Sequence, residues 1–326
     1  MCHAAHRRLF FFPPGSLTSL TKTSHSDCGP FLFPRGRPAS IFHVPPGGSS
    51  ERMSTPDPHL GSANQLDPER VGRSTFLGDV VFFDTHESTS DLALQQADHF
   101  STGPPVLFLT AQQTAGRGRG TNRWQADRGS LTFSLLVNPS AVPARRPALA
   151  LATTLAILDA VNEHLPKEIA ATSGLKWPND VLLGTRKVSG VLVENVAGST
   201  TLVIGVGINV NNEIPDDLAE SATSLAEAAG SPCSLTELLI DVIDHFEENL
   251  VEWSSESSRL AERWQAAHCY TGRSVEVAAP HGRFSGTCRE IDELGRLVLV
   301  PVKGDQDASP IRLSTGTLVA TAESGS

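Results

Sequence analysis

From Gln113 to Gly120 the chain reads Gln-Thr-Ala-Gly-Arg-Gly-Arg-Gly, with Trp124 close behind. Gly116, Gly118 and Gly120 let backbone approach a ligand closely, and Arg117 and Arg119 can place guanidinium groups on it. Between Arg117 and Arg128 there are four Arg and one Asp, a local charge of +3. Such a concentration in an acidic chain suits a small anion better than a long polyanion. A solvated basic loop has the same composition and stays open as a reading. A nucleotide P-loop does not, because no Gly-Lys-Ser/Thr follows. The second segment is Lys176-Trp177-Pro178-Asn179-Asp180, followed by Lys187-Val-Ser-Gly190-Val-Leu192-Val-Glu194. A lysine entering an apolar strand beside small residues is costly unless an anion pairs with it. The alternatives are a solvent-facing hairpin lysine at 187 and a turn or capping residue at Asp180. The third segment, Gly205-Val-Gly207-Ile208-Asn209-Val-Asn211, lacks the third glycine of a dinucleotide fingerprint and ends in a strand. Asn209 either pins a nucleotide or closes a turn. His86 and Glu87 read as a surface turn rather than a metal site.

These segments need elements to hold them. Apolar runs predict strands over 80–84, 105–110 and 131–137, and a Gly/Arg loop over 115–125. Four further strands are expected over 174–177, 181–183, 187–196 and 201–210. Capping residues open a helix over 88–100, and a largely apolar stretch predicts a buried helix over 147–165. Ser234 and Glu237 form a capping box. Behind it Leu235, Leu238, Val242, Phe246, Leu250 and Trp253 keep a 3–4 spacing, so a long helix is expected, broken near 254–258 and resuming to about residue 268. Short runs over 275–278, 283–291, 297–302 and 311–313, divided by glycine turns, predict a small β-barrel in residues 270–326.

The net charge of −10, from 26 basic and 36 acidic residues, argues against a general nucleic-acid binder. The charge is unevenly placed. Residues 1–52 hold six Lys/Arg against two Asp/Glu, which leaves 20 against 34 for the rest. Residues 1–75 show no periodicity, are interrupted by Pro and Gly, and read as a disordered leader. The only methionines are Met1 and Met53, and the charge changes sign at the second. That predicts a translation start at or near Met53, with an organelle transit peptide as the alternative. No apolar run approaches the about 18 residues of a membrane span. Five scattered cysteines without a Cys-x-x-Cys indicate neither a disulfide framework nor zinc, and Cys269 and Cys288 read as packing residues. A reducing, cytoplasmic compartment is the default.

In their order and spacing the three segments resemble the biotin protein ligase family, over about residues 80–320. That family's pattern is Ser-Thr-Asn after the first strand, Q-x-x-G-R-G-R-x-G-R-x-W, K-W-P-N-D, R-K-x-x-G-I-L-V-E and G-x-G-I-N-V. Here they appear as Ser88-Thr89-Ser90, Gln113 to Trp124, Lys176 to Asp180, Arg186 to Glu194 and Gly205 to Val210. The resemblance implies an α+β fold: a central mixed sheet flanked by helices, of the class II aminoacyl-tRNA synthetase/biotin ligase type. The catalytic domain would span 76–269, and an SH3-like barrel 270–326. It implies biotin and ATP as substrates with Mg²⁺ on the phosphates, formation of biotinyl-5′-AMP, and transfer to a lysine of a carrier domain of acetyl-CoA or related acyl-CoA carboxylases. No nucleic acid or membrane partner is implied, and the protein would be a monomer or a homodimer.

By the same resemblance Ser88, Thr89, Ser90 and Gln113 hold biotin's ureido ring, and Gly190 and Leu192 line its apolar tail. Gly116, Gly118, Gly205 and the cations Arg117, Arg119 and Lys187 complete the biotin contacts. Trp124, Lys176, Asn179, Ile208 and Asn209, with Arg119, address the nucleotide. Arg117, Arg119 and Lys187 would neutralise the meeting of a carboxylate with a phosphate, and Asp180 would orient or deprotonate the acceptor amine. Two departures stand out. Ser90 replaces the usual Asn, and Thr121-Asn122 replace the common Gly-Arg, with Arg123 as a compensating cation. The rivals are a lipoate or octanoate ligase, a biotin-sensing repressor, and a binder without catalysis. The Arg-Gly-Arg loop and the 186–194 strand favour biotin, residues 1–78 show no helix pair for DNA, and intact Arg117, Arg119 and Lys187 disfavour the third.

Overall fold

Eight strands form one mixed sheet: β1 (Ser40–Val44), β2 (Asp79–His86), β3 (Val106–Gln113), β4 (Leu131–Val137), β5 (Ser173–Lys176), β6 (Asp180–Leu183), β7 (Arg186–Asn195) and β8 (Leu202–Ile208). Their order is β1-β2-β3-β4-β8-β7-β6-β5. The first three run parallel, and all other neighbours are antiparallel. The computed structural model describes residues 39–44, 62–100, 103–139, 148–254, 259–301 and 309–320.

β4 and β8 are buried along their whole length, and their side chains divide between two faces. Leu131, Phe133 and Leu135 of β4, and Leu202, Ile204, Val206 and Ile208 of β8, join the main core. That core is closed by α3 (Ala148–Glu163) and α6 (Leu235–Ser254), which pack on each other; the short α4 (Lys167–Ala170) and α5 (Leu225–Ala229) lie between them in the chain. α6 presents Leu238, Val242, Phe246 and Trp253 to it, at the spacing the sequence carries. The opposite face is covered only in part. α2 (Thr89–Gln96) lays Leu92 and Ala93 on Phe108, Leu136 and Val203 and ends there. Beyond it, where β7 and β8 carry glycines, no helix of the described residues covers the sheet face.

Most expected elements are present, with shifted ends. The helix expected over 88–100 is α2, N-capped by Ser88. The one expected from 147 begins at Ala148, with residue 147 itself outside the described residues. The expected break after α6 falls partly on residues 255–258, also outside them, and α7 (Leu260–Ala267) follows. The reading of 1–75 as a leader without structure is corrected at two places. β1 pairs in parallel with β2, and α1 (Pro68–Ser74) is capped by Asp67, whose Oδ1 accepts from the Arg70 N–H at 2.9 Å. Val71 is fully buried, and Arg70 pairs with Glu237 of α6. Five- and seven-residue elements are too short to show a periodicity, and their partners lie far along the chain. β1 precedes Met53, so a chain starting there lacks this edge strand. Residues 1–38 and 45–61 lie outside the described residues.

The C-terminal strands β9 (Ser274–Ala279), β10 (Gly282–Ile291), β11 (Leu297–Val300), β12 (Ile311–Leu313) and β13 (Thr317–Ala320) form a second, antiparallel sheet in the order β12-β11-β10-β9-β13. β13 carries no apolar alternation long enough to announce itself. Between the two sheets sits His268. The Trp177 N–H donates to its Nε2 at 3.4 Å, its Nδ1 lies 3.4 Å from Thr271 Oγ1, and its ring packs against Trp264 and Tyr270. A ring that must accept at Nε2 has to stay neutral, and burial pulls its pKa from 6.5 down to about 4.

The unfolded chain therefore takes up this proton before the native one does. Stability should be lost as the pH falls from about 6.5 to about 4, by about 3 kcal/mol in total. Asp79 contributes with the opposite sign, because burial raises its carboxyl to about 6. The difference between wild type and His268→Gln in urea titrations at pH 7 and pH 4.5 isolates the histidine. The wild type should lose more stability between the two.

Candidate active site

Strand register builds the floor of the site. Thr132 on β4, Gly207 on β8, Gly190 on β7, Asp180 on β6 and Lys176 on β5 lie abreast. The next row is Ser134, Gly205 and Leu192. Because side chains alternate between faces, all of these positions look away from the α3–α6 core. Above them is a cavity of about 570 Å³, large enough for a small organic ligand. The three glycines are spaces already used by side chains lying flat on the sheet. A Cβ at Gly205 would stand 2.5 Å from Ser90 Oγ, one at Gly190 2.8 Å from Lys187 Nζ, and one at Gly207 would overlap the Trp124 ring.

One end of the cavity is polar and uncharged. Ser88 caps α2 by accepting from the Asp91 N–H at 3.3 Å, and Ser88, Thr89 and Ser90 are all buried. Gln113, at the end of β3, accepts at Oε1 from the Thr89 N–H (2.7 Å) and the Thr89 hydroxyl (3.0 Å). Ser134 Oγ lies 2.8 Å from Thr89 Oγ1 and 3.0 Å from Ser90 Oγ.

Three cations also line the cavity, Arg117 beside α2 and Arg119 and Lys187 near Asp180. The Gly/Arg loop folds into a tight hairpin: the Gly118 N–H donates to Asn122 O at 2.9 Å, and the Trp124 N–H to Gly116 O at 3.0 Å. Asn122, one of the two departures, thus closes the turn with its backbone. Arg117 forks onto Glu194 at 2.9 and 2.7 Å and reaches Asp91 at 2.9 Å. The Glu194 hydrogen bonds are the main reason its pKa is raised. Among the described residues Arg119 has only neutral oxygen partners: Gly316 O at 3.1 Å, Thr315 Oγ1 at 2.9 Å and Asn179 Oδ1 at 3.5 Å. Burial lowers its pKa, and the charge of Asp180 opposes the shift. Lys187 Nζ pairs with Asp180 at 2.7 Å and lies 5.7 Å from the Trp124 ring centre. Asn179 is anchored by donating to Val191 O, and Lys176 sits 6.0 Å from the Tyr270 ring centre. Gly118, Leu192, Trp124 and Arg123 also line the cavity.

Three of the expected residues are placed differently. Gly116 lies under the loop, where a Cβ would meet Trp124 O and Gln113 Nε2. Its contribution is backbone clearance. Ile208 points into the core on the opposite face, so its side chain cannot meet a nucleotide on this one. Asn209 does not line the cavity; its Oδ1 accepts from Asn212 at 3.3 Å. Other residues were not foreseen. Thr132 and Ser134 are hydroxyls alternating with Leu and Phe along β4, a pattern that could have marked a polar face. Thr132 Oγ1 is buried with no hydrogen-bond partner among the described residues. Thr315 and Gly316 come from the C-terminal sheet, and no local signal points from them to Arg119.

Residues 82–211 match the Biotin/lipoate A/B protein ligase family. The biotin–[acetyl-CoA-carboxylase] ligase of Mycobacterium tuberculosis is 34% identical over 197 residues, covering 60% of this chain and 73% of that protein. The bifunctional ligase/repressor BirA of Bacillus subtilis is 28% identical, covering 69% and 70%. A biotin protein ligase from Aquifex aeolicus, solved with biotin and ATP, superposes with a TM-score of 0.64 at 26% identity, covering 74% of this chain and 99% of that one. With the glycine floor, the Arg-Gly-Arg hairpin and the Lys187–Asp180 pair all in the matched region, the chain belongs to the biotin protein ligases of this family.

Proposed function

We propose that the cavity activates biotin with ATP and passes the biotinyl group to a lysine of a biotin carboxyl carrier domain of an acetyl-CoA or related acyl-CoA carboxylase. The observation that carries this reading is one cavity lined both by an uncharged hydroxyl–amide cluster and by three cations. The uncharged hydroxyl–amide end, Ser88 to Ser90 with Gln113, suits a ureido ring. The cations Arg117, Arg119 and Lys187 suit a carboxylate and a phosphate. The small, apolar surface of Gly205, Leu192 and Gly190 suits a flat apolar tail.

In the first step a biotin carboxylate oxygen bonds to the α-phosphorus and pyrophosphate leaves. Two anions meet, and fixed cations offset their repulsion in a partly dehydrated site. Arg119 is the best placed of these, being half-buried and, among the described residues, bonded only to neutral oxygens. Arg117 divides its charge between Glu194 and Asp91, so it also holds the hairpin across the sheet. Lys187 reaches the same space from β7 with Asp180 as counter-ion. Trp124 lies flat on Gly207, where it can wall the adenylate, with Lys176 and Asn179 on the nucleotide side. In the second step a lysine amine attacks the acyl carbon, AMP leaves, and the amine proton must be taken up. Asp180 is the carboxylate proposed to orient that amine.

Mg²⁺ enters this reading with ATP, as part of the substrate. Among the described residues no group of three or more His, Cys, Asp or Glu side chains could hold a metal. Likewise no helix there is long and apolar enough to cross a membrane. A cytoplasmic location is proposed on the scattered cysteines of the sequence. The domains are read as 76–269, extended by β1 and α1, and 270–326. The bulge in β10 between Cys288 and Glu290 supports closing the second into an SH3-like barrel. A lipoate ligase is the nearest rival, but a dithiolane ring gives the hydroxyl–amide cluster nothing to bond.

Biotin-dependent ATP–pyrophosphate exchange tests the reading, and exchange with lipoate alone would overturn it. Arg119→Ala and Lys187→Ala should each slow exchange by roughly 10²–10³, the usual cost of a lost transition-state donor. Near wild-type exchange in either removes that residue from the catalytic set. Gly207→Ala should displace Trp124 and lower kcat/KM for ATP by roughly 10². An unchanged value would mean that the indole does not wall the nucleotide.

A further inference from the structure

Behind the uncharged end of the cavity, Ser134 is fully buried and does not line the cavity itself. It nevertheless touches both Thr89 and Ser90. The hydroxyl protons here can be counted. Gln113 Oε1 accepts the Thr89 backbone N–H, so that atom is the amide oxygen and carries no proton. Three short O···O contacts remain: Thr89 to Gln113, Thr89 to Ser134, and Ser90 to Ser134. Three hydroxyl protons are available for them, one each from Thr89, Ser134 and Ser90. Only one arrangement gives every contact a proton. Thr89 donates to Gln113, Ser134 donates to Thr89, and Ser90 donates to Ser134. Any other leaves two lone pairs facing each other in a buried site, which is costly.

We infer that Ser134 is a specificity-determining, positioning residue that sets the polarity of the pocket. By accepting the hydrogen bond of the Ser90 hydroxyl it leaves Ser90 Oγ able only to accept from a ligand. Gln113, with its oxygen committed to Thr89, can turn only its amide N–H groups to a ligand. The Ser88 hydroxyl proton is not used by its cap, since Ser88 Oγ accepts from the Asp91 N–H. The pocket therefore demands a ligand carrying an N–H donor for Ser90 beside an acceptor for Gln113 or Ser88. This rests on the biotin reading, because a ureido ring offers both groups side by side. It adds a residue that acts on the ligand through one intervening side chain, Ser90, and dictates which ring atoms are accepted.

The test uses the full chain and two biotin analogues, each with one ureido N–H replaced by a ring oxygen. In the wild type, Ser90 meets that oxygen lone pair to lone pair and one analogue should be strongly disfavoured. In Ser134→Ala the Ser90 proton is released and can turn to the ring oxygen. The ratio of kcat/KM for biotin over that analogue should then fall by about tenfold, mainly through KM. A loss shared equally by biotin and both analogues would reduce Ser134 to a packing residue and overturn the inference. Neutron diffraction of the deuterated protein, without any ligand, reads the chain independently of both variant folding and substrate identity. The Ser90 deuteron should point to Ser134, the Ser134 deuteron to Thr89, and the Thr89 deuteron to Gln113. A reversed order overturns the proposal even if biotin is the substrate. Absence of biotin-dependent exchange with the predicted order in place would overturn the biotin reading instead.

Discussion

A sheet face normally has to be covered, and the constraint that organises this molecule is that one stretch of its central sheet is kept clear. Gly190, Gly205 and Gly207 stand abreast of polar residues on β4 and β6, facing away from the core. Side chains at these three positions would collide with Lys187, Ser90 and Trp124 respectively. The core bears the corresponding load on the other side, where the same strands present unbroken Leu, Ile, Val and Phe to α3 and α6. One face supplies stability so that the other can be left open for chemistry.

Charge is managed by the same geometry. Three cations line one cavity, and each is held differently: Arg117 by two carboxylates, Lys187 by one, Arg119 by neutral oxygens. Pairing lets the cations stay charged in a partly buried space, at the cost of weakening their pull on a ligand. Arg119 keeps the strongest pull because its partners come from the Thr315–Gly316 turn of the C-terminal sheet. The second sheet is therefore part of the active site's wall, and the His268 junction that joins the two sheets bears on the site as well as on stability.

Much of this was legible in the chain itself. The Gly-Arg-Gly-Arg hairpin, the Lys176 to Asp180 turn and the β7 and β8 strands announce both their secondary structure and their chemistry, because function there needs rare residue types at fixed spacing. Ser134 and Thr132 were passed over because a buried hydroxyl in a strand looks like any other. Only strand register shows that they share a face with Gly205 and Gly207. Ile208 was misplaced for a related reason: it sits inside a ligand-binding motif, yet alternation turns its side chain to the core. β1 and α1 escaped notice because five and seven residues carry no periodicity, and their stabilising partners on β2 and α6 are distant in sequence.

The central claim is that one trough holds biotin and the nucleotide together as a single acyl adenylate. The most direct test is to incubate the protein with biotin and Mg–ATP, pass it through gel filtration, and examine the protein fraction by mass spectrometry. Biotinyl-5′-AMP should be retained at about one per chain and discharged when a purified carrier domain is added. Protein that retains biotin and ATP unjoined, or an adenylate that the carrier domain cannot discharge, would contradict it.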